Sequence, residues 1–482
     1  ALNFLEHRGP DNTGYFIKDF IALGSKRLKI HDLSDAGNQP LLSSYGNYQI
    51  IFNGAIFNFR EIKKQLTSRG VIFKTETDTE VILEGYVHFG SKILDYLEGM
   101  FAFIILDCVK NKVFIARDSF GIKPLYVYED KENIIFSSEI KPILKTPGTK
   151  LKLNKNNFDD FLLFQSTCHP KTFFDGIEVF SPATLMEIDL STFKKSSREY
   201  WEIGNFNEDI HKEDTEKIIL ESILQCWDTD RMTGVQLSGG VDSSLMVALL
   251  RQQNKSQKIS TYSVDFDDTN IKHWHPRSER KYINQVKSLY DCDTNLNTFT
   301  NNEISDSFLQ SIYFFEAPLY GASTAMYFLL ANKINSDVTV LLTGEGVDDI
   351  FLGYFDNWNF HQSTSSLAKC FVSQDTTKLL LDIDSKTPLL ENKILEILGK
   401  DFDRLSDRQM ATVLLIKNGL QGLLSRHDKM FMSASIEGRP PFLTKKLAEK
   451  RFSLDDDDIH SKSIGKKNIK KIATRYFDSE FV

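Results

Sequence analysis

Two glycine-bearing loops carry the acids and hydroxyls with which this 482-residue chain could handle a phosphate ester. The first, Ser238 to Ser244 (SGGVDSS), sits between an apolar stretch ending at Leu237 and an apolar helix pattern over Ser243 to Leu250. Gly239 and Gly240 permit a tight turn and let backbone N–H groups approach a phosphate closely. Ser238, Ser243 and Ser244 add hydroxyl donors, and a helix start adds the positive end of its dipole. Asp242 would repel a phosphate directly, but it suits a Mg2+ ion lying between the two anions. A capped strand–helix turn without a ligand would read the same way. With no lysine after the glycines, the loop is not a GxxxxGK[ST] phosphate loop.

The second loop, Thr343 to Tyr354 (TGEGVDDIFLGY), follows the apolar run VTVLL. In an open α/β sheet, ligands bind where loops leave the carboxyl ends of parallel strands. Asp348 could share a metal with Asp242, and Glu345 could accept a proton from an attacking nucleophile. A capped turn is the alternative for this loop taken alone.

The surrounding patterns supply the elements that must position these residues. From Thr215 onward, strand and helix alternate: a helix over Thr215 to Trp227, a strand over Gly234 to Leu237, and the Ser243 helix. A strand over Ile259 to Phe266, helices over Glu279 to Leu289 and around Ala325 to Lys333, and a strand over Thr339 to Leu342 follow. That rhythm predicts a parallel sheet. The first 200 residues read differently. Tyr48 to Phe57, Gly99 to Leu106, Lys112 to Ala116 and Pro124 to Tyr128 read as strands, and Arg60 to Arg69 and Thr79 to Phe89 as the two clear helices. Strands in runs predict sheet packed on sheet. The polar stretch Trp201 to Thr215 marks a boundary, giving units 1–204 and 205–482. Residue 1 is Ala and the closing RYFDSEFV reads as part of an amphipathic helix, so both ends predict a longer protein. Asp455 to Asp458 reads as a solvated acidic loop.

Composition narrows the function classes. The chain has 58 basic and 66 acidic residues, a net charge of −8, which argues against nucleic acid as the main partner. The longest apolar run stops at Asp107, far short of the roughly 20 residues of a membrane span. Five scattered cysteines without a CxxC pair predict a reduced, cytoplasmic setting and no structural zinc.

SGGVDSS together with TGEGVDDIFLGY resembles the adenylating domain of the asparagine synthetases, a branch of the N-type ATP pyrophosphatases. SIEGRPPFL (Ser435 to Leu443), preceded by Asp428-Lys429-Met430, resembles the family's S-[VI]-E-x-R-x-P-F-L-D element, with Thr444 in place of the final Asp. KKNIK (Lys466 to Lys470) resembles its K-x-x-L-R helix start, and Glu316-Ala317-Pro318 with Ser323 fits the helix before the second loop. The resemblance implies an ATP site on Gln236, Ser238, Gly239, Gly240, Asp242, Ser243, Ser244, Val264, Thr343 and Gly344, with Mg2+ on Asp242 and Asp348. It implies catalytic roles for Glu345 and Lys466, though Lys466 also reads as a solvated lysine in a basic helix. Val347 stands where a small polar residue is usual.

HRGPD (His7 to Asp11), Asn53 to Asn58 (NGAIFN), TETDTEV (Thr75 to Val81), RDSFGIKPLY (Arg117 to Tyr126) and SEIK (Ser138 to Lys141) resemble a class II glutamine amidotransferase domain. The implied fold is a four-layered α/β/β/α sandwich with an N-terminal cysteine nucleophile. Arg27 would hold the glutamine α-carboxylate and Asp78 its ammonium, with Asn53 and the Gly54 N–H as the oxyanion hole. HRGPD and RDSFGIKPLY read as fold signatures. Two departures bear on glutamine use. No cysteine precedes Cys108, so the nucleophile is expected upstream of this chain, and Ala55 replaces the acid of the family's NGE-[IL]-[YF]-N. The whole implies a cytoplasmic ligase making asparagine from aspartate with glutamine-derived ammonia, compatible with a homodimer. Amidation of another carboxylate, such as a sugar acid or secondary metabolite, and a non-catalytic nucleotide-binding role are the alternatives.

Overall fold

The apolar run at Gly99 becomes the strand Gly99–Asp107, buried at every residue but the first, inside a six-stranded antiparallel sheet. Its order is Lys195–Glu199, Thr184–Asp189, Lys112–Arg117, Gly99–Asp107, Tyr48–Ile56, Leu41–Leu42. This computed structural model describes residues 1–482 apart from 151, 156, 165, 207, 254–257, 267–278, 320, 355–390, 393, 400–403 and 462–463, so Cys370 lies outside the described residues. One face of the sheet takes the helices Phe59–Ser68 and Asp78–Phe89, through Phe59, Ile62, Leu66, Ile82 and Phe103. The other face packs Ile104, Leu106 and Ile115 against Leu23, Leu125 and Phe180 of a second β layer. A helix at Ile140–Leu144 covers that layer. The order of layers is α/β/β/α, as the resemblance implies.

The second β layer comes in two pieces. One is the hairpin Asn12–Lys18 with Ile21–Arg27, and the other is a three-stranded sheet of Ile134–Ser137, Tyr126–Glu129 and Ile177–Val179. Ile21–Arg27 and Ile134–Ser137 are edge strands of their sheets, and both border one cavity of about 1200 Å3. The hairpin, the Ile140–Leu144 helix and the helix Asn157–Phe164 add to the elements that patterning predicts.

Beyond the polar junction, five parallel strands run in the order Asp293–Phe299, Ser260–Phe266, Thr233–Gln236, Val340–Leu342, Glu437–Arg439. The chain reverses its direction of travel across the sheet between Thr233–Gln236 and Val340–Leu342, a topological switch point of the kind at which ligands bind. Helix Thr215–Trp227 forms over the expected residues, with the Asp214 side chain accepting from the Glu216 N–H at its start. Among the described residues the rest of this half is mostly helical, with long elements at Leu420–Met432 and Lys445–Ser453.

Two expectations fail. The chain end is not helical: the last helix, Lys467–Ala473, stops short, and turns over residues 474–482 stack Phe477 on Phe481 at 4.3 Å between ring centres. The acidic run is no simple solvated loop either. It forms a short helix, Asp456–Ile459, with Asp456 3.6 Å from the fully buried guanidinium of Arg451.

One apolar cluster spans both halves, joining Ile30, Phe57, Met100 and Phe120 to Val235, Leu245, Leu342 and Phe442.

Candidate active site

The two glycine loops meet at the switch point. Gly239 has φ 88°, and a side chain there would strike the Glu279 carbonyl at 2.9 Å, so the turn needs glycine. Ser238 and Ser243 lock the turn: the Ser238 N–H donates to Ser243 Oγ (3.1 Å), and Gly240 N–H donates to Ser238 Oγ (3.2 Å). Asp242 lies in the first turn of helix Val241–Gln253, where a negative charge suits the dipole. Gly344, from the second loop, lies against Asp242 and Ser243. Ser244 is fully buried, with its hydroxyl unpartnered among the described residues. Gln236 ends the central strand, and Val264 lies one strand over on Ser260–Phe266. Thr343 donates or accepts at His427 Nε2, 3.0 Å away.

Lys466 joins the acids. Its Nζ is 2.8 Å from Asp242 Oδ2 and 2.7 Å from Asp348 Oδ1. It is not a solvated helix lysine, because it precedes helix Lys467–Ala473 with a left-handed φ of 52° and its side chain is only 14% exposed. Gly353 makes room for this meeting, since a Cβ there would fall 1.7 Å from Asp348 Oδ1 and 2.8 Å from Lys466 Cδ. Burial pushes the Asp242 carboxyl up, to about 6; Lys466 opposes that push and the Asp348 charge reinforces it. Burial would lower the Lys466 amine, but the two carboxylates more than offset it and hold it charged. Asp242 Oδ1 stays buried and without a partner among the described residues. Two carboxylate oxygens reach one cation here and a third buried oxygen is free, a donor set that fits a hard divalent ion. Among the described residues no group of three or more His, Cys, Asp and Glu side chains could hold a metal, so such an ion would need substrate phosphates and water for its other ligands.

Glu345 faces the same cleft, held at Oε1 by the Tyr327 hydroxyl (2.9 Å) and by Arg426 Nη2 (3.1 Å). Arg426 also lies over the Tyr327 ring, 4.8 Å from its centre, and donates to Ser323 Oγ at 3.2 Å. Sequence reasoning missed both residues. Arg426 stands two positions before the Asp428-Lys429-Met430 element and could have been flagged from it; Tyr327 carries no signal beyond a helix position.

Arg27, Asn53, Gly54 and Asp78 line the cavity beside the two strand edges. Arg27 is buried, and its guanidinium already donates to the carbonyls of Ser34, His31 and Asp32 and to Asn38 Oδ1. Asp78 opens helix Asp78–Phe89 and accepts from the Ile56 N–H at 3.0 Å. None of the cavity-lining residues is a cysteine. Ala55 is buried in the apolar cluster and does not line the cavity.

The signature motifs divide into two uses. Arg117 and Asp118 are engaged by backbone groups: Arg117 donates to the carbonyls of Lys123 and Gly121, and Asp118 accepts four N–H groups between Phe101 and Lys123. The others build a buried ionic network between the halves. Asp428 pairs with Arg8 (2.8 Å) and Lys123 (3.2 Å); Glu139 with Arg8 (3.3 Å), His7 (2.8 Å) and Lys141 (2.8 Å); and Glu316 with Lys429 (2.7 Å) and Lys141 (3.2 Å).

The fold is that of a class II amidotransferase-like sandwich joined to a parallel-sheet α/β domain. A glutamine amidotransferase domain model matches residues 1–201, and an asparagine synthase model matches residues 215–482, more than half the chain. The chain belongs to the asparagine synthase family. Asparagine synthetase (glutamine-hydrolyzing) 1 of Bacillus subtilis (strain 168) is 29% identical over 87% of this chain and 65% of its own length. Asparagine synthetase (glutamine-hydrolyzing) 3 of the same organism is 27% identical over 92% of this chain and 76% of its length. Asparagine synthetase (glutamine-hydrolyzing) 2 is 30% identical over 73% and 48%. The chain thus spans between about half and three quarters of these relatives.

Proposed function

We propose that the protein is a glutamine-dependent, ATP-consuming amide ligase that converts aspartate to asparagine, with an amidotransferase-like unit at 1–204 and an adenylating unit at 205–482. The observation that carries this reading is the convergence of Asp242 and Asp348 on Lys466 at a parallel-sheet switch point, beside a Ser-Gly loop that opens a helix. A carboxylate is a poor acylating agent. Attack of its oxygen on the α-phosphorus of ATP expels pyrophosphate and leaves an acyl adenylate, from whose carbonyl ammonia then displaces AMP. The Ser238–Ser244 loop would cradle the phosphates and Lys466 would neutralise charge on the departing pyrophosphate. Mg2+ held by Asp242 and Asp348 would add Lewis-acid charge stabilisation there. Glu345 would take a proton from the attacking ammonia.

In the other half, Arg27 and Asp78 would hold the glutamine α-carboxylate and α-ammonium, and Asn53 with the Gly54 N–H would stabilise the tetrahedral oxyanion. The nucleophilic thiolate would need to stand beside Asn53 and Gly54, in the cavity that the edge strands Ile21–Arg27 and Ile134–Ser137 border.

Two measurements check the reading. Full-length protein with ATP, Mg2+ and ammonium should release pyrophosphate most strongly with aspartate among a panel of amino acids, sugar acids and simple carboxylic acids; a different best acid replaces aspartate as the acceptor, and no response to any acid defeats the ligase reading. Arg426→Ala should lower ammonium-dependent kcat/KM by about 10- to 100-fold, because a charge-assisted hydrogen bond holding Glu345 is lost. Arg426→Lys should recover part of it, and a variant indistinguishable from wild type would detach Glu345 from this role.

A further inference from the structure

Four successive residues of helix Leu420–Met432 are charged or titratable, and each serves a different part of the molecule. Arg426 holds Glu345 at 3.1 Å and Ser323 at 3.2 Å. His427 meets the Thr343 hydroxyl at 3.0 Å. Asp428 pairs with Arg8 and Lys123 of the amidotransferase-like half, at 2.8 and 3.2 Å. Lys429 donates to the Phe315 carbonyl at 3.0 Å and pairs with Glu316 at 2.7 Å.

Successive side chains of an α-helix leave its axis about 100° apart, so Arg426 and Asp428 stand on nearly opposite faces. Every residue from His427 to Met432 is buried. Glu316 carries the Lys429 contact onward, because its carboxylate accepts the N–H groups of Ile140 (2.9 Å) and Lys141 (2.7 Å) at the start of helix Ile140–Leu144. The amidotransferase-like half thus grips this one helical turn twice, through Asp428 and through Lys429 with Glu316. Backbone hydrogen bonds make a turn move as a unit, so a shift at Asp428 displaces Arg426 and, with it, Glu345. Buried ion pairs add little net stability over an apolar contact, and their best-attested use is to fix register. The apolar cluster that spans both halves already supplies the docking. What the ion pairs add is the exact seat of the helix.

We propose that Asp428 is a positioning residue for amide formation: anchored on Arg8 and Lys123, it fixes the helical turn from which Arg426 aims Glu345 at the incoming ammonia. The inference rests on the reading that Glu345 takes the ammonia proton. It makes the amidotransferase-like half part of the ligase chemistry even when free ammonium is the nitrogen donor.

The test uses full-length protein with ATP, Mg2+, saturating ammonium and the acid that gives most pyrophosphate, and it reads the amide formed per pyrophosphate released. Ammonia and water compete for the acyl adenylate, water returning the free acid and AMP, so the ratio reports aminolysis and does not depend on how much of the protein is folded. Asp428→Asn keeps the volume and should lower the ratio at least about threefold, part of what general-base catalysis contributes. Lys123→Met leaves Asp428 with Arg8 alone; it should lower the ratio by a smaller factor, and it decides the matter if Asp428→Asn does not fold. Arg426→Ala should lower the ratio as well, and adding Asp428→Asn to it should lower the ratio no further, because Asp428 acts through Arg426. Amide and pyrophosphate that fall in step in both single variants, or additive losses in the double variant, overturn the inference and leave Asp428 a structural role. A ratio unmoved by Arg426→Ala removes Glu345 from the proton transfer, and wild-type protein without acid-dependent pyrophosphate release overturns the ligase reading; the inference falls with either.

Discussion

Replacing Asp242 with asparagine should lower acid-dependent pyrophosphate release at least about 100-fold, while the thermal unfolding midpoint moves by no more than about 3 °C. The side chain keeps its volume, so the packing of helix Val241–Gln253 is preserved. What changes is charge. Among the described residues Asp242 carries one buried, unpartnered oxygen and a second that pairs with Lys466. The amide would deprive a divalent ion of one of its two protein carboxylates and leave Lys466 paired with Asp348 alone. The fold barely notices, because Lys466 retains a charged partner and the desolvation cost of a buried carboxylate is relieved. Near-normal pyrophosphate release from Asp242→Asn would show that this loop does not position the metal and phosphates.

The largest stability effect should come from Asp428→Ala, at about 3–5 kcal/mol measured by chemical denaturation. Asp428 is 2% exposed and is the shared partner of Arg8 and Lys123, both from the other half of the chain. Burial raises its carboxyl, but the two cations more than reverse that, and its net shift is downward. A lowered carboxyl contributes stability above its unfolded-state value, and that contribution fades as acid titrates the folded group, so the penalty of Asp428→Ala should shrink at low pH. Removing Asp428 leaves Arg8 with Glu139 alone (3.3 Å) and Lys123 with Glu437 alone (3.7 Å), two buried cations each short of a partner, which costs more than the pairs themselves contribute. Adding Lys123→Met to Asp428→Ala should therefore recover part of the loss. A single-variant cost below about 1 kcal/mol would mean that the halves are held by the apolar cluster alone.

Periodicity made some of this molecule legible and left other parts dark for identifiable reasons. Helix Thr215–Trp227 and the strand–loop–helix around Ser238 follow from apolar stripes and a glycine turn that local physics enforces. Strand Asp293–Phe299 has the sequence DTNLNTF and lies at the sheet edge, where one side of the strand meets water and apolar alternation is not required. Glu437–Arg439 is three residues with two charges, and pairing across the sheet, not propensity, makes it a strand. In the hairpin Asn12–Lys18 with Ile21–Arg27, Tyr15 and Ile17 are 72% and 68% exposed while Phe16, Ile21 and Leu23 pack on the main sheet, so apolar residues stand on both faces and the alternation is blurred.

The candidate site divides along the same line. Asp242, Glu345 and Asp348 were legible because glycine spacing marks loops that bring backbone and acids to a strand end. Lys466 looked like one of several lysines in a basic helix, and only the left-handed turn before that helix carries it into the cleft. Tyr327 and Arg426 come from helices distant in sequence from the loop they serve, and a contact of that kind leaves no local pattern. The two motifs that read as fold signatures also hold the interface: His7 and Arg8 of HRGPD and Lys123 of RDSFGIKPLY join Glu139, Lys141, Glu316, Asp428 and Lys429 in one ionic network.

The most direct test of the central claim follows one oxygen atom. Full-length protein is incubated with ATP, Mg2+, ammonium and aspartate whose side-chain carboxylate is labelled with 18O, and the phosphorus products are analysed by mass spectrometry. If the carboxylate attacks the α-phosphorus, one labelled oxygen becomes the bridging atom of the acyl adenylate and leaves with AMP when ammonia takes the carbonyl. The account predicts AMP carrying one 18O, unlabelled pyrophosphate, and an amide retaining the other labelled oxygen. Label in inorganic phosphate, with ADP as the nucleotide product, would contradict it by placing the attack on the γ-phosphorus.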